Sequence, residues 1–149
     1  MIFDRTQSDV DLAKNIRETK LKKFSTLSDS DISVLEKGFF TFNTINRIEN
    51  KQIELKQLLN TLGYLNISIV NKTWALGDDF SESDFQRIID NENLLRESFF
   101  VYSYTPDTPG ISFYFEDINS LEKILYDIEN MVDDVKNNYR ICGTFECGE

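Results

Sequence analysis

The sequence predicts a mainly α protein, a helical bundle of about five helices, three of them long, with minor β content near 66–74 and at the C-terminus. Three observations carry this. Apolar residues recur at spacings of three and four in three separate segments, which is the period of a helix face. Helix start and stop signals bracket those segments. Both prolines, Pro106 and Pro109, fall in one stretch, so no predicted helix is broken by one. At 149 residues, with 40% hydrophobic and 28% charged, the chain reads as a single domain, 1–149, long enough to bury a core without metal or disulfide staples.

The first helix is expected over 7–22, capped by Thr6 or Ser8, with acidic residues in its first turn where the dipole favours them. The second, 29–37, starts at Ser28, has Asp31 in a capping-box position, can staple Leu27 to Ile32, and stops at Gly38. The third, 44–62, is expected to be capped by Asn43 and ended by Gly63, with the stripe Ile45, Ile48, Gln52, Leu55, Leu59, Leu62. The fourth, 82–99, repeats the box with Ser81 and Asp84 and the staple with Phe80 and Phe85; its stripe is Phe85, Ile88, Glu92, Leu95, Phe99. The fifth, 117–138, has Ile118, Leu121, Leu125, Ile128, Val132, Val135, Tyr139, widened by Ile124 and Met131. Such stripes fit the core of one bundle or the seam of an oligomeric coiled coil; the wide fifth stripe favours the bundle. Between the third and fourth helices, Ile67, Ile69 and Thr73 alternate with polar positions, as in a short strand or extended arm. At the end, Ile141, Gly143, Phe145 and Cys147 alternate as a strand face. The segment 102–115 is a loop with both prolines and the aromatics Tyr102, Tyr104, Phe113, Tyr114 and Phe115.

Composition narrows the chemistry. Histidine is absent, which removes Ser-His-Asp and Cys-His catalysis and His-ligated metals. A net charge of −10 repels phosphate backbones and anionic lipid, so nucleic acid is not an expected partner. No apolar run is long enough for membrane insertion, and Asp4 and Asp9 stand where a signal peptide needs an apolar core, so synthesis in the cytoplasm is expected. Cys142 and Cys147 have no further cysteine or histidine in the chain to complete a zinc shell. The acidic run from Asp78 to Asp84 misses the register of a calcium loop, and capping accounts for Ser81 and Asp84. Glu92 and Gln52 interrupt apolar stripes; Glu92 is a buried general acid, a residue near a bundle edge, or the partner of a cation such as Arg47 or Arg96. There is no phosphate-binding glycine motif and no nucleophile elbow. No catalytic residue, cofactor or metal is expected, and an enzyme is not.

Three stretches carry a resemblance. They are Asn43-Thr-Ile-Asn46-Arg47-Ile48-Glu49 running to Gly63; Lys72-Thr73-Trp74 followed by Asp84-Phe85-x-Arg87-Ile88-x-x-Asn91; and Asn119-x-x-Glu122-Lys123-Ile124-Leu125-x-Asp127-Ile128, closing with Gly143-Thr144-Phe145-x-Cys147-Gly148-Glu149. With the opening Phe3-Asp4-Arg5-Thr6, the chain resembles a small helical module of structural proteins in tailed phages, prophages and phage-tail-like particles of Firmicutes. Thr44-Ile45 departs from the Asp-Leu usual in that group. The resemblance implies a virion or contractile-injection component near the tail, baseplate or fibres, with other tail, baseplate or fibre proteins as partners and a homo-oligomer possible within the particle. The alternative is a soluble acidic prophage-encoded interaction or regulatory protein.

Candidate interface residues are Trp74, Tyr102, Tyr104, Phe113 and Tyr114, because the arm and the aromatic loop lie outside the stripes. Trp74 is an anchor into either its own bundle or a neighbouring subunit. Asn46, Arg47 and Glu49 are expected in structural polar roles: Arg47, set against the helix dipole, needs an acidic partner, and Asn46 or Asn43 can brace a neighbouring loop.

Overall fold

A computed structural model of the chain describes residues 1–63, 67–111 and 114–142, the side chains of 139–142 excepted. It contains α1 (Gln7–Thr19), a single 3₁₀ turn (Leu21–Lys23), α2 (Asp29–Gly38), α3 (Phe42–Thr61), α4 (Glu82–Ser98) and α5 (Phe115–Cys142). The protein is mainly helical, and among the described residues there is no strand.

Local chemistry explains where the helices begin. Thr6, Ser28 and Ser81 each accept a hydrogen bond from the backbone N–H of an aspartate three residues on, and that aspartate reaches back to the cap backbone. Asp9, Asp31 and Asp84 thus complete three capping boxes. The cap of α3 is Thr41, not Asn43: Thr41 is extended and its hydroxyl accepts from Thr44 N–H, while the Asn43 amide donates to Glu36 at 2.5 Å. Gly63, with φ +83°, takes the left-handed conformation that closes α3.

The three stripes meet in one core. Ile45, Ile48, Leu55 and Leu59 of α3, Phe85, Ile88 and Leu95 of α4, and Ile118, Leu121, Leu125, Ile128 and Val132 of α5 belong to a single buried cluster. These helices pack pairwise on one another, so each stripe is consumed within the chain, as a bundle requires. Each fully buried Leu, Ile or Phe here stabilises by roughly 1.5–3 kcal/mol relative to exposure.

α1 and α2 form a hairpin packed mainly on itself. Gly38 is the last residue of α2 and is buried, and a Cβ there would overlap the Ala13 Cβ and the Asp9 carbonyl. Its small size lets α1 and α2 touch.

Two β expectations are corrected. Residues 67–75 carry no regular secondary structure, with Ile67, Ile69 and Trp74 buried, and among the described residues no second strand lies beside them. At the C-terminus α5 continues through Cys142, because no proline or glycine interrupts 117–142. The rest of that expected strand, 143–147, lies outside the described residues. Among the described residues, no helix is long and apolar enough to cross a membrane.

Candidate functional site

The most developed polar chemistry lies at the starts of α3 and α5, where two clasps share one design. In the first, Asn46 bridges the backbone of Trp74. Its amide donates to the Trp74 carbonyl at 2.7 Å, and its Oδ1 accepts the Trp74 N–H at 2.8 Å. One turn on, the fully buried Glu49 takes four donors. Oε1 accepts the Trp74 indole N–H and Arg87 Nη2, both at 2.7 Å; Oε2 accepts the Lys72 backbone N–H at 2.7 Å and Arg87 Nη1 at 2.8 Å. All of its acceptor capacity is used. The arm's backbone groups at Val70, Lys72 and Trp74 thus pair with helix side chains, the Val70 carbonyl accepting from Arg87 and Asn91.

In the second clasp, Asn119 bridges the backbone of Arg5, accepting its N–H at 3.2 Å and donating to its carbonyl at 2.9 Å. One turn on, the fully buried Glu122 receives Arg5 Nη1 at 2.5 Å and Arg47 Nε at 2.6 Å. Glu122 is therefore the acidic partner of Arg47. Both clasps read Asn-x-x-Glu, in Asn46-Arg47-Ile48-Glu49 and Asn119-Ser120-Leu121-Glu122. Positions i and i+3 share a helix face, so the amide and carboxylate meet the same incoming segment.

Between the clasps, Gln52 donates to the Ile88 carbonyl and to Glu92 Oε2, both at 2.9 Å, and accepts from Asn91. Glu92 is fully buried and its other oxygen, Oε1, has no partner. Burial pushes its carboxyl up to about 8, against the opposing Gln52 hydrogen bond and the field of Arg96, with Glu122 adding to the rise. It pairs with neither Arg47 nor Arg96. Asp84, by contrast, is lowered to about 2 by Lys72 and then Ser81.

Of the expected interface residues, Trp74 is anchored in its own bundle, one of the two placements expected for it. It is 6% exposed, locked by Asn46 and Glu49, and in edge-to-face contact with Phe80 at 5.0 Å; Lys72 covers its ring at 5.1 Å. The indole belongs to its own bundle because Glu49 supplies a buried acceptor for its N–H. The aromatic loop folds onto α5. Tyr102 stacks on Tyr104 with centroids 5.0 Å apart, and its hydroxyl donates to Asp134 at 2.6 Å, which raises the phenol to about 12. The Lys123 ammonium sits 5.2–5.6 Å from the rings of Tyr104, Tyr126 and Phe3 and pairs with Asp127, which also accepts from Thr105. Tyr104 and Tyr114 remain largely exposed. Phe113 lies outside the described residues.

Sequence reasoning missed Arg5, Arg87, Asn91 and Glu122 as site residues. The signal that could have found the clasps is the Asn-x-x-Glu pair, repeated at the starts of two helices. Among the described residues, no group of three or more acidic or thiol side chains is arranged to hold a metal ion. No family model, curated protein or solved structure matches the chain.

Proposed function

We propose that this chain is a non-enzymatic structural component of a phage or phage-tail-like particle, serving in the tail or baseplate or as a fibre-attachment adaptor. One observation supports this above the rest. The residues that carry the resemblance to particle proteins, namely Asn46, Arg47, Glu49, Trp74, Arg87, Asn91, Asn119 and Glu122, are the ones that fasten the arm and the N-terminal segment to the bundle. Glu49 and Glu122 are tied to arginines inside the core rather than turned toward a cleft. A motif whose members hold shape suits a protein whose role is to present a fixed surface to neighbours. Function then lies in surfaces rather than in a pocket.

The test is mass spectrometry of particles purified from the producing bacterium. Recovery of this chain at a fixed ratio to tail or baseplate proteins supports the proposal. Its absence from particles, with recovery of the free protein bound to a basic partner, favours an acidic interaction or regulatory protein instead. The observation behind that second reading is the charge distribution: residues 1–38 contain seven acids and seven bases, so the whole net charge of −10 falls in 39–149.

A further inference from the structure

The tip of the α1–α2 hairpin combines two unfavourable features at one residue. Phe24 is 99% exposed, and its backbone has φ 53°, ψ 30°, the left-handed region. That conformation ordinarily falls to glycine or asparagine, and a bulky residue there is an outlier. Two backbone bonds hold it: Phe24 N–H to the Leu21 carbonyl at 3.1 Å and Ser25 N–H to the Lys20 carbonyl at 3.0 Å. The backbone that carries the ring is therefore held at the tip. Leu21 beside it is also exposed. The segment Arg17-Glu-Thr-Lys-Leu-Lys-Lys-Phe24 is basic in an acidic chain. Lys20 pairs with Asp31 and Lys22 with Glu18, which leaves Arg17 and Lys23 without a carboxylate partner among the described residues.

A surface of complementary shape and charge exists on the same molecule. A groove of about 330 Å³ is lined by Phe40, Phe42, Ile45, Trp74, Leu76 and Phe80. Leu76 at its rim is 88% exposed. Its aromatic walls meet edge to face, Trp74 with Phe80 at 5.0 Å and Phe40 with Phe80 at 5.5 Å. Asp78 lines it, Asp79 and Glu82 follow, and Lys72, which covers the Trp74 ring, is paired with Asp84. A second cleft, lined by Arg17, Leu21, Lys22, Phe39, Phe40 and Thr41, adjoins the groove through Phe40 and Thr41. Tip and groove therefore neighbour each other on one side of the protein.

We propose that this side is a two-fold interface between copies of the chain, in which Phe24 of each copy enters the aromatic groove of the other and Arg17 and Lys23 face Asp78, Asp79 and Glu82. Charge complementarity selects a second copy as occupant: a basic aromatic tip finds an acidic aromatic groove on an identical molecule. Because donor and acceptor adjoin, mutual exchange closes as an isologous pair rather than an open chain. The inference stands whether or not the chain is a particle component.

The test is sedimentation equilibrium of the full chain at low and high salt, with four variants. The wild type is expected to dimerise, less tightly at high salt. Phe24→Gly removes the ring and suits the left-handed backbone, so it is expected to raise the dissociation constant about tenfold or more, the effect of losing a central aromatic anchor, with no fall in thermal midpoint. Phe24→Ser checks that the loss follows the ring. Lys23→Glu alone and Asp79→Lys alone are each expected to weaken the dimer, and an equal mixture of the two to restore it, since each tip then meets a groove of opposite charge. A wild type that stays monomeric, a dimer indifferent to Phe24→Gly, or a mixture no tighter than either variant alone overturns the proposal. So does a monomer that binds anionic phospholipid vesicles through Phe24.

Discussion

Replacing Glu92 by glutamine removes a titration from the centre of the bundle. Glu92 is fully enclosed, its Oε2 accepts only from Gln52, its Oε1 has no partner, and the charges that act on it are Arg96 from α4 and Glu122 from α5. Its carboxyl ionises near 4.5 when free of the fold and at about 8 within it. Between those values the unfolded chain has lost the proton and the native chain keeps it. Stability therefore falls as pH rises, by about 1.4 kcal/mol per pH unit, because the native state binds the extra proton. Above pH 8 the loss is complete, on the order of 5 kcal/mol. Glu92→Gln keeps the shape and the acceptor for Gln52 but has nothing to ionise. The two proteins are expected to be nearly equal in stability at pH 4.5, with the variant ahead by several kcal/mol at pH 8. Urea unfolding at a series of pH values reads this as a growing difference in midpoint at constant slope. Titrations elsewhere are common to both proteins and cancel in that difference. Parallel midpoints across the range, or a wild type that gains on the variant with rising pH, would refute the reasoning.

Glu122→Ala strands Arg5, whose side chain is 2% exposed, together with Arg47, and is expected to cost about 3–5 kcal/mol in chemical unfolding. Converting both arginines to methionine in that background should recover much of the loss, whereas a purely steric defect would persist. Trp74→Ala removes a 6% exposed indole and one donor to Glu49, so the thermal midpoint should fall by the equivalent of about 3–5 kcal/mol; a folded variant of unchanged midpoint would return Trp74 to the surface. Gly38→Ala forces a methyl into Ala13 and Asp9 and is expected to destabilise the hairpin by about 1–3 kcal/mol, visible as faster amide exchange in α1 and α2 than in α3–α5.

The helices were legible in the sequence because their causes are local. Ser28 with Asp31, Ser81 with Asp84 and the spacing of Ile45, Ile48, Leu55 and Leu59 act within a turn or two, so sequence distance stands in for physical distance. The polar breaks at Gln52 and Glu92 were equally visible, since a polar residue in an apolar stripe must be answered somewhere. What answers it was not visible. Glu122 receives Arg5 from 117 positions away, and Glu49 receives Arg87 from 38 positions away. Periodicity carries no information about which charge arrives on a buried face. The same limit misplaced the arm: Ile67, Ile69 and Thr73 alternate as a strand does, yet Thr73 is exposed and Trp74 is buried, and alternation says nothing of what the backbone bonds to. Only the packed bundle decides that Asn46, Glu49 and Asn91, rather than a second strand, meet those backbone groups. It decides likewise that Trp74 is enclosed while Phe24 is exposed, because burial depends on what else the folded chain brings alongside.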